Sequence, residues 1–218
     1  HETLNLKFEE NGPTEIGGLI IEKILRQHPR KLGKSLSFVR FNFMKRFPQY
    51  FQTDILAEMM APVSPTGENV LWEAVGRNFT NLSYSEADKF SIKHKEMIRS
   101  LFPKSPIYLT LLAPDVRHSI GEVGKATIPA KRLLESQGFK YTGQLDPFDG
   151  GPHLRCKMHD IVSVKATTEI KNYKDKDLSN GVISFGKEAE FFAIPCPTSK
   201  NLKDLDAQKV TSVFYTPY

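Results

Sequence analysis

Cations gather around one glycine and one serine in the stretch RQHPRKLGKS, residues 26–35. Glycine permits backbone turns that other residues resist, and serine is favoured where a helix begins. A helix start has free backbone N–H groups, and such a start binds phosphate when cations surround it. The stretch therefore predicts an anion-binding loop, although an ordinary solvated loop before a helix explains the same residues taken alone. The predicted anion site consists of His28, Arg30, Lys31, Gly33, Lys34 and Ser35.

Apolar periodicity predicts the elements that hold this loop. Residues 19–21 are short, β-branched and apolar, which favours a buried strand before the loop. After the loop, apolar residues recur every three or four positions, which predicts an amphipathic helix that ends before Pro48. The predicted apolar face consists of Leu32, Leu36, Val39, Phe43 and Phe47.

Strand and helix patterns alternate as far as residue 152. Strands are predicted at residues 3–8, 54–59, 107–112 and 139–145, and helices from residue 68, at 85–101 and at 127–137. Beyond Pro152 helical periodicity disappears, and only short strands are predicted. We therefore predict an α/β (α+β) fold with a domain of residues 1–152 and a small β-rich C-terminal appendage of residues 153–218.

Composition excludes several classes of protein. Of the 218 residues 25% are charged and 39% apolar, and the net charge is +5. This charge favours anionic small ligands, but the cations are too evenly spread for a nucleic-acid site. No apolar run is long enough to span a membrane and no signal-peptide core is visible, which predicts an intracellular location, cytoplasmic or in an organelle matrix. Cys156 and Cys196 suit buried thiols, and no metal site is predicted.

Ten segments in the same order resemble one known family. They run from TLNLKF at residues 3–8 to DPFDGGP at residues 146–152, and the most specific are DPFDGGP and FPKSPIY, residues 102–108. On these segments the chain resembles the arginine N-succinyltransferases of the GCN5-related N-acyltransferase superfamily. The resemblance implies an acyl-CoA N-acyltransferase-like mixed sheet flanked by helices. It also implies transfer of a succinyl group from succinyl-CoA, a co-substrate and not a permanent cofactor, to arginine or another cationic amine.

The resemblance also suggests roles for individual residues. The anion-binding loop would hold the pyrophosphate of CoA, and the strand edge at Leu19 would meet its pantetheine arm. Carboxylates that could bind the cationic amine or guanidinium by charge-assisted hydrogen bonds are Glu58, Asp88, Asp146 and Asp149. Of these, the aspartate before the Gly-Gly pair is more typical of a turn.

Proton transfer has two candidate histidines. His94 lies on the predicted helix of residues 85–101, and His118 lies in a short segment that suits an exposed helix. A packed or hydrogen-bonded structural histidine is the commoner role for each. Gly124 occupies the position where the family has a histidine that is thought to donate a proton.

Departures from the family pattern leave a second interpretation open. The loop has Pro29 and Lys31 where the family pattern offers more backbone N–H groups and a further glycine. The family's first half is not matched, which predicts a homo- or hetero-oligomer, with a partner chain as one source of the missing half. The alternative to an active N-acyltransferase is therefore a catalytically inactive homologue that serves as a structural or subunit-assembly module.

Overall fold

The computed structural model describes residues 2–94, 96–171, 178, 180–196 and 212–218. It separates into two compact units that interleave along the sequence. The first unit comprises His1–Glu15, Leu56–Glu135 and Phe139–Arg155, and the second comprises Ile16–Ile55, Ser136–Gly138 and Cys156–Tyr218. The division at residues 152 and 153 stays a prediction. No helix in the described ranges is long and apolar enough to cross a membrane.

The described residues contain seven α-helices and ten β-strands. The helices are α1 (Leu32–Arg46), α2 (Arg77–Thr80), α3 (Tyr84–Lys93), α4 (Met97–Leu101), α5 (Pro114–Ser119), α6 (Ile128–Ser136) and α7 (Val162–Ala166). The strands are β1 (Thr3–Leu4), β2 (Thr14–Glu15), β3 (Asp54–Glu58), β4 (Ile107–Tyr108), β5 (Lys140–Leu145), β6 (Pro152–Lys157), β7 (Thr168–Glu169), β8 (Gly181–Phe185), β9 (Phe192–Cys196) and β10 (Phe214–Pro217). The predicted mixed α/β class is confirmed.

The main sheet of the first unit has the strand order β2-β3-β6-β5. Beside it, Trp72 is fully buried in a cluster with Ala87, Met97 and Phe102. The indole Nε1 of Trp72 donates a hydrogen bond to the carbonyl of Leu82 at 3.0 Å, so the one polar atom of this large side chain is satisfied. Phe148, in the turn after β5, packs against this cluster.

The helices of the first unit follow the predictions with two differences. A π-helical turn at Trp72–Gly76 precedes α2, and the ring of Trp72 packs where a side chain at position 76 would lie. The predicted single helix of residues 85–101 is wrong, because the structure has two helices, α3 and α4. Ser83 begins α3 through a capping box with Glu86, which satisfies backbone donors on both sides of the cap.

The second unit contains an antiparallel sheet with the order β7-β10-β8-β9. Every residue of β8 is buried. The predicted short strands at β8, β9 and β10 are confirmed, but the prediction that helices stop at residue 152 is wrong, because α7 follows. The five residues of α7 are too few for a helical period to show in the sequence.

Helix α1 also lies in the second unit, and its buried face differs from the predicted one. The buried residues are Ser35, Phe38, Phe41, Asn42 and Met44. Two of them are polar, which hid this face from a search for apolar periodicity. Asn42 lies inside because Nδ2 donates to Oγ1 of Thr216 at 2.9 Å and Oδ1 accepts from Oγ of Ser184 at 2.5 Å.

Candidate active site

Two carboxylates and an imidazole meet in the first unit. Glu58 is the last residue of β3, Asp146 follows β5 directly, and His153 is the second residue of β6. Oε1 of Glu58 lies 3.3 Å from Nε2 of His153. A carboxylate oxygen of Glu58, a carboxylate oxygen of Asp146 and a ring nitrogen of His153 all lie within 4.8 Å of one another. The structure thus brings together two predicted substrate-binding residues and a histidine that the sequence did not indicate.

Burial changes the protonation of this cluster. Burial, followed by the negative charge of Asp146, raises the pKa of Glu58 to about 7. Burial likewise raises the pKa of Asp146 to about 6. Burial, followed by the positive charge of Arg155, lowers the pKa of His153. Groups with such shifted pKa values in a partly buried cluster suit proton transfer and the binding of a cation near neutral pH. The same oxygen and nitrogen atoms would also suit a divalent metal ion.

The turn DPFDGGP, residues 146–152, holds Asp146 in place. Oδ1 of Asp146 accepts a hydrogen bond from the N–H of Phe148 at 2.6 Å. The ring of Phe148 stacks on the buried indole of Trp72, with the ring centroids 5.3 Å apart. The position of the carboxylate therefore depends on aromatic packing as well as on the turn.

Asp149 is placed as a turn residue rather than as a ligand. It is buried, and its two carboxylate oxygens accept hydrogen bonds from the N–H of Gly151 at 2.7 Å and the N–H of Ala61 at 2.9 Å. A Cβ at Gly151 would collide with the carbonyl of Met59, so glycine is needed at this position. One oxygen of Asp149 thus stabilises the turn itself, and the other joins the turn to the segment after β3.

A cavity of about 720 Å³ lies inside the first unit, and Asp146 and His153 line it. Further polar groups come from Glu9, Gln144 and Arg155. The apolar lining includes Leu4, Leu6, Leu56, Leu71, Val75, Phe102, Ile107 and Leu145. A cavity of this size, largely apolar with a few polar groups, has the properties of a small-molecule site.

The predicted anion-binding loop begins α1 in the second unit. Lys31 caps the helix in a left-handed conformation with φ 48°. Its carbonyl accepts hydrogen bonds from the N–H of Lys34 at 2.8 Å and of Ser35 at 3.2 Å. A Cβ added at Gly33 would meet only a side-chain carbon of Ile21, at 3.8 Å. Space beside Gly33 is therefore available to a ligand, whereas the N–H groups of Lys34 and Ser35 already donate within the first turn.

Tyr218 contacts the same helix start. Its hydroxyl lies 2.8 Å from Oγ of Ser35. The ammonium of Lys34 lies 4.6 Å from the centre of the Tyr218 ring, which also packs 4.7 Å from the ring of Phe38. The hydroxyl of Ser35 is thus engaged within the protein, and Lys31 and Lys34 are the stronger candidates for contact with an anion.

The predicted buried strand at residues 19–21 is wrong. The structure shows no strand at these described positions, and the exposed fractions of Leu19 and Ile20 are 39% and 80%. The next element is a 3-10 turn at Lys23–Leu25. Apolar β-branched residues report a propensity, and a strand forms only where a partner strand accepts its hydrogen bonds. Leu19 accordingly offers no strand edge.

The remaining residues predicted from the sequence are not part of the Glu58 cluster. Asp88 is exposed on α3, and His118 is exposed on α5. His94 is exposed at the C-terminus of α3, where its ring stacks on Phe90 with centroids 4.0 Å apart. Nδ1 of His28 accepts a hydrogen bond from the N–H of Arg30 at 3.2 Å, which folds the basic loop back on itself.

Gly124 packs against the residues that follow β3. Its N–H donates to the carbonyl of Met60 at 2.9 Å. A Cβ at this position would lie 3.2 Å from the carbonyl oxygen of Ala61, so a side chain fits only if its neighbours shift slightly. The position where the family has a histidine therefore packs against the residues two and three positions after Glu58, but it carries no group that can transfer a proton.

Sequence comparison relates this chain to one family. The family profile described as Arginine N-succinyltransferase beta subunit matches residues 1–163. The chain belongs to the arginine N-succinyltransferase family. The resemblance inferred from the ten segments is thereby confirmed.

Relatives within the arginine N-succinyltransferase family are substantially longer than this chain. The enzyme of Yersinia pseudotuberculosis serotype O:3 (strain YPIII) is 38% identical over 180 residues, which cover 80% of this chain and 51% of the relative. That of Enterobacter sp. (strain 638) is 35% identical over 164 residues, which cover 75% and 47%. The chain thus spans about half the length of the curated relatives that it matches.

A solved structure shows the same fold. It is the structure of arginine/ornithine succinyltransferase subunit AI from Pseudomonas aeruginosa, which superposes with a TM-score of 0.73 at 23% sequence identity. The match covers 91% of this chain and 60% of that one. This likeness confirms the predicted acyltransferase-like fold class of the arginine N-succinyltransferase family.

Proposed function

We propose that the chain is a CoA-dependent N-acyltransferase that transfers the succinyl group of succinyl-CoA to the α-amino group of arginine. The observation that carries the proposal is the 3.3 Å approach of Glu58 Oε1 to His153 Nε2, with Asp146 in the same cluster. A carboxylate with a pKa of about 7 is suited to accept a proton at neutral pH. Family membership supports this reaction type.

Glu58 is the proposed general base. The acidic cluster attracts the cationic amine, and the carboxylate of Glu58 takes one proton from its nitrogen. The amine nitrogen then attacks the thioester carbonyl carbon, so that a C–N bond forms and the C–S bond breaks. The nitrogen releases its second proton to solvent as the amide forms. The thiolate of CoA leaves and takes its proton from solvent, because Gly124 offers none.

The basic loop of the second unit is the proposed CoA contact. Phosphate groups would meet the ammonium groups of Lys31 and Lys34 in the space beside Gly33 at the start of α1. The free space beside Gly33 supports this assignment. Lys31 adopts a left-handed conformation, which glycine, the residue of the family pattern at this position, adopts readily.

The test is an acyl-transfer assay on the purified full chain, after its native mass has been measured. CoA thiol release and the mass of the acylated product are followed with succinyl-CoA and arginine at pH 8. We expect product from the wild-type chain and a loss of about a hundredfold or more in kcat for Glu58→Gln, as for removal of a general base. The matched control is Glu96→Gln, because Glu96 is exposed and its carboxylate forms a surface ion pair with Arg99 at 3.3 Å.

The inactive homologue is the second candidate, and Gly124 is the observation that favours it. A folded chain that releases no CoA thiol and forms no product would overturn the enzymatic proposal. The native mass then decides whether the scaffold acts in an assembly, which is the role proposed for an inactive form.

A further inference from the structure

The cavity of the first unit has a basic wall in addition to Asp146 and His153, the two members of the acidic cluster that line it. Nη2 of Arg155 donates a hydrogen bond to Oε2 of Glu9 at 2.6 Å. Nζ of Lys7 lies 3.3 Å from Oε1 of Glu9, and Nε2 of Gln144 donates to the same oxygen at 3.2 Å. All four residues line the cavity. Among these four residues, two cations face one carboxylate.

The carboxylate of Glu9 stays ionised in this arrangement. The hydrogen bond from Arg155, followed by that from Gln144, lowers the pKa of Glu9 to about 2. Glu9 therefore orients the guanidinium of Arg155 along the cavity wall at all ordinary pH values. A guanidinium offers five N–H donors in a planar fork that matches a carboxylate.

Strand β6 separates the basic wall from the acidic cluster by a short distance. Successive residues of a strand point to opposite faces, and two residues along it span about 7 Å. His153 and Arg155 are half-buried and line the cavity, whereas Leu154 and Cys156 are buried on the other face. His153 and Arg155 therefore lie two positions apart on one face of β6, close enough along the strand for one small zwitterion to contact groups near both positions.

We propose that Arg155 binds the α-carboxylate of the substrate, so that the cavity selects a zwitterionic α-amino acid. The amine of that substrate meets Glu58 and Asp146, and its side chain lies along the apolar lining. This inference rests on the proposed function for the reaction, but the binding step can be measured without any acyl donor. Arg155 is a specificity residue in this scheme, and Glu9 positions it.

A carboxylate could reach this wall from two sources, the amino acid or the succinyl end of the acyl donor. The neighbouring acidic cluster favours the amino acid, since only that substrate carries a cation and a carboxylate on the same carbon. The experiment therefore varies each substrate separately. Agmatine is arginine without its carboxylate, and butanoyl-CoA has a methyl group in place of the terminal carboxylate of succinyl-CoA.

Calorimetric titration of the full chain with arginine and with agmatine tests the proposal. We expect the wild-type chain to bind arginine about tenfold more tightly than agmatine, the contribution of a charge-assisted hydrogen bond. Arg155→Ala should bring the two affinities together, and Arg155→Lys should restore part of the preference. Glu9→Gln should reduce the preference, because the charge-assisted hydrogen bond that orients the guanidinium of Arg155 is weakened. Arg117→Ala is the matched control, since Arg117 is exposed on α5.

The outcomes separate this proposal from the proposed function. Equal wild-type affinities for arginine and agmatine overturn the assignment of Arg155 even if acyl transfer is seen. A preference for arginine that depends on Arg155, in a chain that transfers no acyl group, supports the assignment and removes only the enzymatic proposal. If Arg155→Ala instead abolishes the preference for succinyl-CoA over butanoyl-CoA, the carboxylate belongs to the donor and the amino-acid assignment is wrong. Melting temperatures check folding, and where Arg155→Ala is unfolded the Arg155→Lys and Glu9→Gln variants decide.

Discussion

Nε2 of His153 and Oε1 of Glu58 lie 3.3 Å apart, yet burial shifts the pKa of each group toward its neutral form. Burial penalises the charged state of both partners. In addition, the negative charge of Asp146 repels the Glu58 carboxylate and disfavours its ionisation. Below about pH 7 the carboxyl group of Glu58 is therefore mostly protonated, so the two groups do not form an ion pair there. Such a pair gains a proton acceptor as the pH rises through neutrality.

The rate of acyl transfer should follow this ionisation. We expect kcat/KM to rise with pH through about 7, because the carboxylate of Glu58 becomes available as a base there. Glu58→Gln should remove this limb of the profile and leave only the ionisation of the substrate amine. The profile of Glu96→Gln should match the wild type. A wild-type profile with no inflection near pH 7 would exclude Glu58 as the base.

Folding stability should change in the opposite direction. The pKa of Glu58 is raised in the folded chain, to about 7 from an ordinary value of 4.5. Stability is therefore lost as the pH rises from about 4.5 to 7, because the unfolded chain releases this proton earlier than the folded one. Since 38% of the Glu58 side chain is exposed, we expect the screened loss to be about 1 kcal/mol.

Glu58→Gln removes this loss and should be more stable than the wild type at pH 8 by about 1 kcal/mol. Denaturant unfolding at pH 4.5 and pH 8 measures the difference, with Glu96→Gln as the surface control. Equal stability of Glu58→Gln and the wild type at pH 8 would show that the ionised carboxylate of Glu58 is well solvated and is not destabilised by burial.

Asp149 should matter for folding more than for chemistry. Its carboxylate accepts the N–H groups of Ala61 and Gly151, so Asp149→Ala leaves two buried donors without partners. We expect a loss of about 2–4 kcal/mol in the free energy of unfolding. Asp149→Asn, which keeps one oxygen acceptor, should lose less. Thermal unfolding of both variants checks this, and a fully stable Asp149→Ala would contradict the role of the turn.

The sequence predicted those elements whose signals are local. The proline-containing start of α6 and Gly138, with φ 96° after it, are signals within a few residues of the helix they bound. Strand β3 and the turn DPFDGGP were found for the same reason. Two of the carboxylates chosen in these segments, Glu58 and Asp146, come together in the structure.

The rest of the site depends on contacts between distant residues. Arg155 and Glu9 are 146 positions apart, and no periodicity links them. The roles of His153 and Arg155 were not predicted. Alternation along a strand shows which residues share a face of the sheet, but it does not show which other residues pack against that face. The strand prediction around the exposed residue Ile20 was wrong for the converse reason, since strand propensity carries no information on whether a partner strand is present.

Gly124 offers a gain-of-function test. Gly124→His should form about tenfold more product per unit time than Gly124→Ala if the departing thiolate benefits from a nearby proton donor. Both variants bring a Cβ to 3.2 Å from the carbonyl oxygen of Ala61, so both should lose a similar amount of stability, about 1 kcal/mol. The alanine variant therefore separates the steric effect from the chemical one. Equal rates in the two variants would show that proton supply at this position does not limit the reaction.

The start of α1 provides a test of the CoA site that does not depend on turnover. Lys31→Ala combined with Lys34→Ala should weaken CoA binding by about tenfold or more at low salt, because two ammonium groups no longer face the phosphates. The salt dependence of the affinity should fall at the same time, since it reports the number of charge contacts. Lys45→Ala, an exposed lysine near the other end of the same helix, is the matched control and should bind as the wild type does. Calorimetric titration with CoA at two salt concentrations measures both quantities. If the double variant keeps the wild-type affinity and salt dependence, the phosphates bind elsewhere, and the space beside Gly33 is a structural feature of the helix start rather than a ligand site.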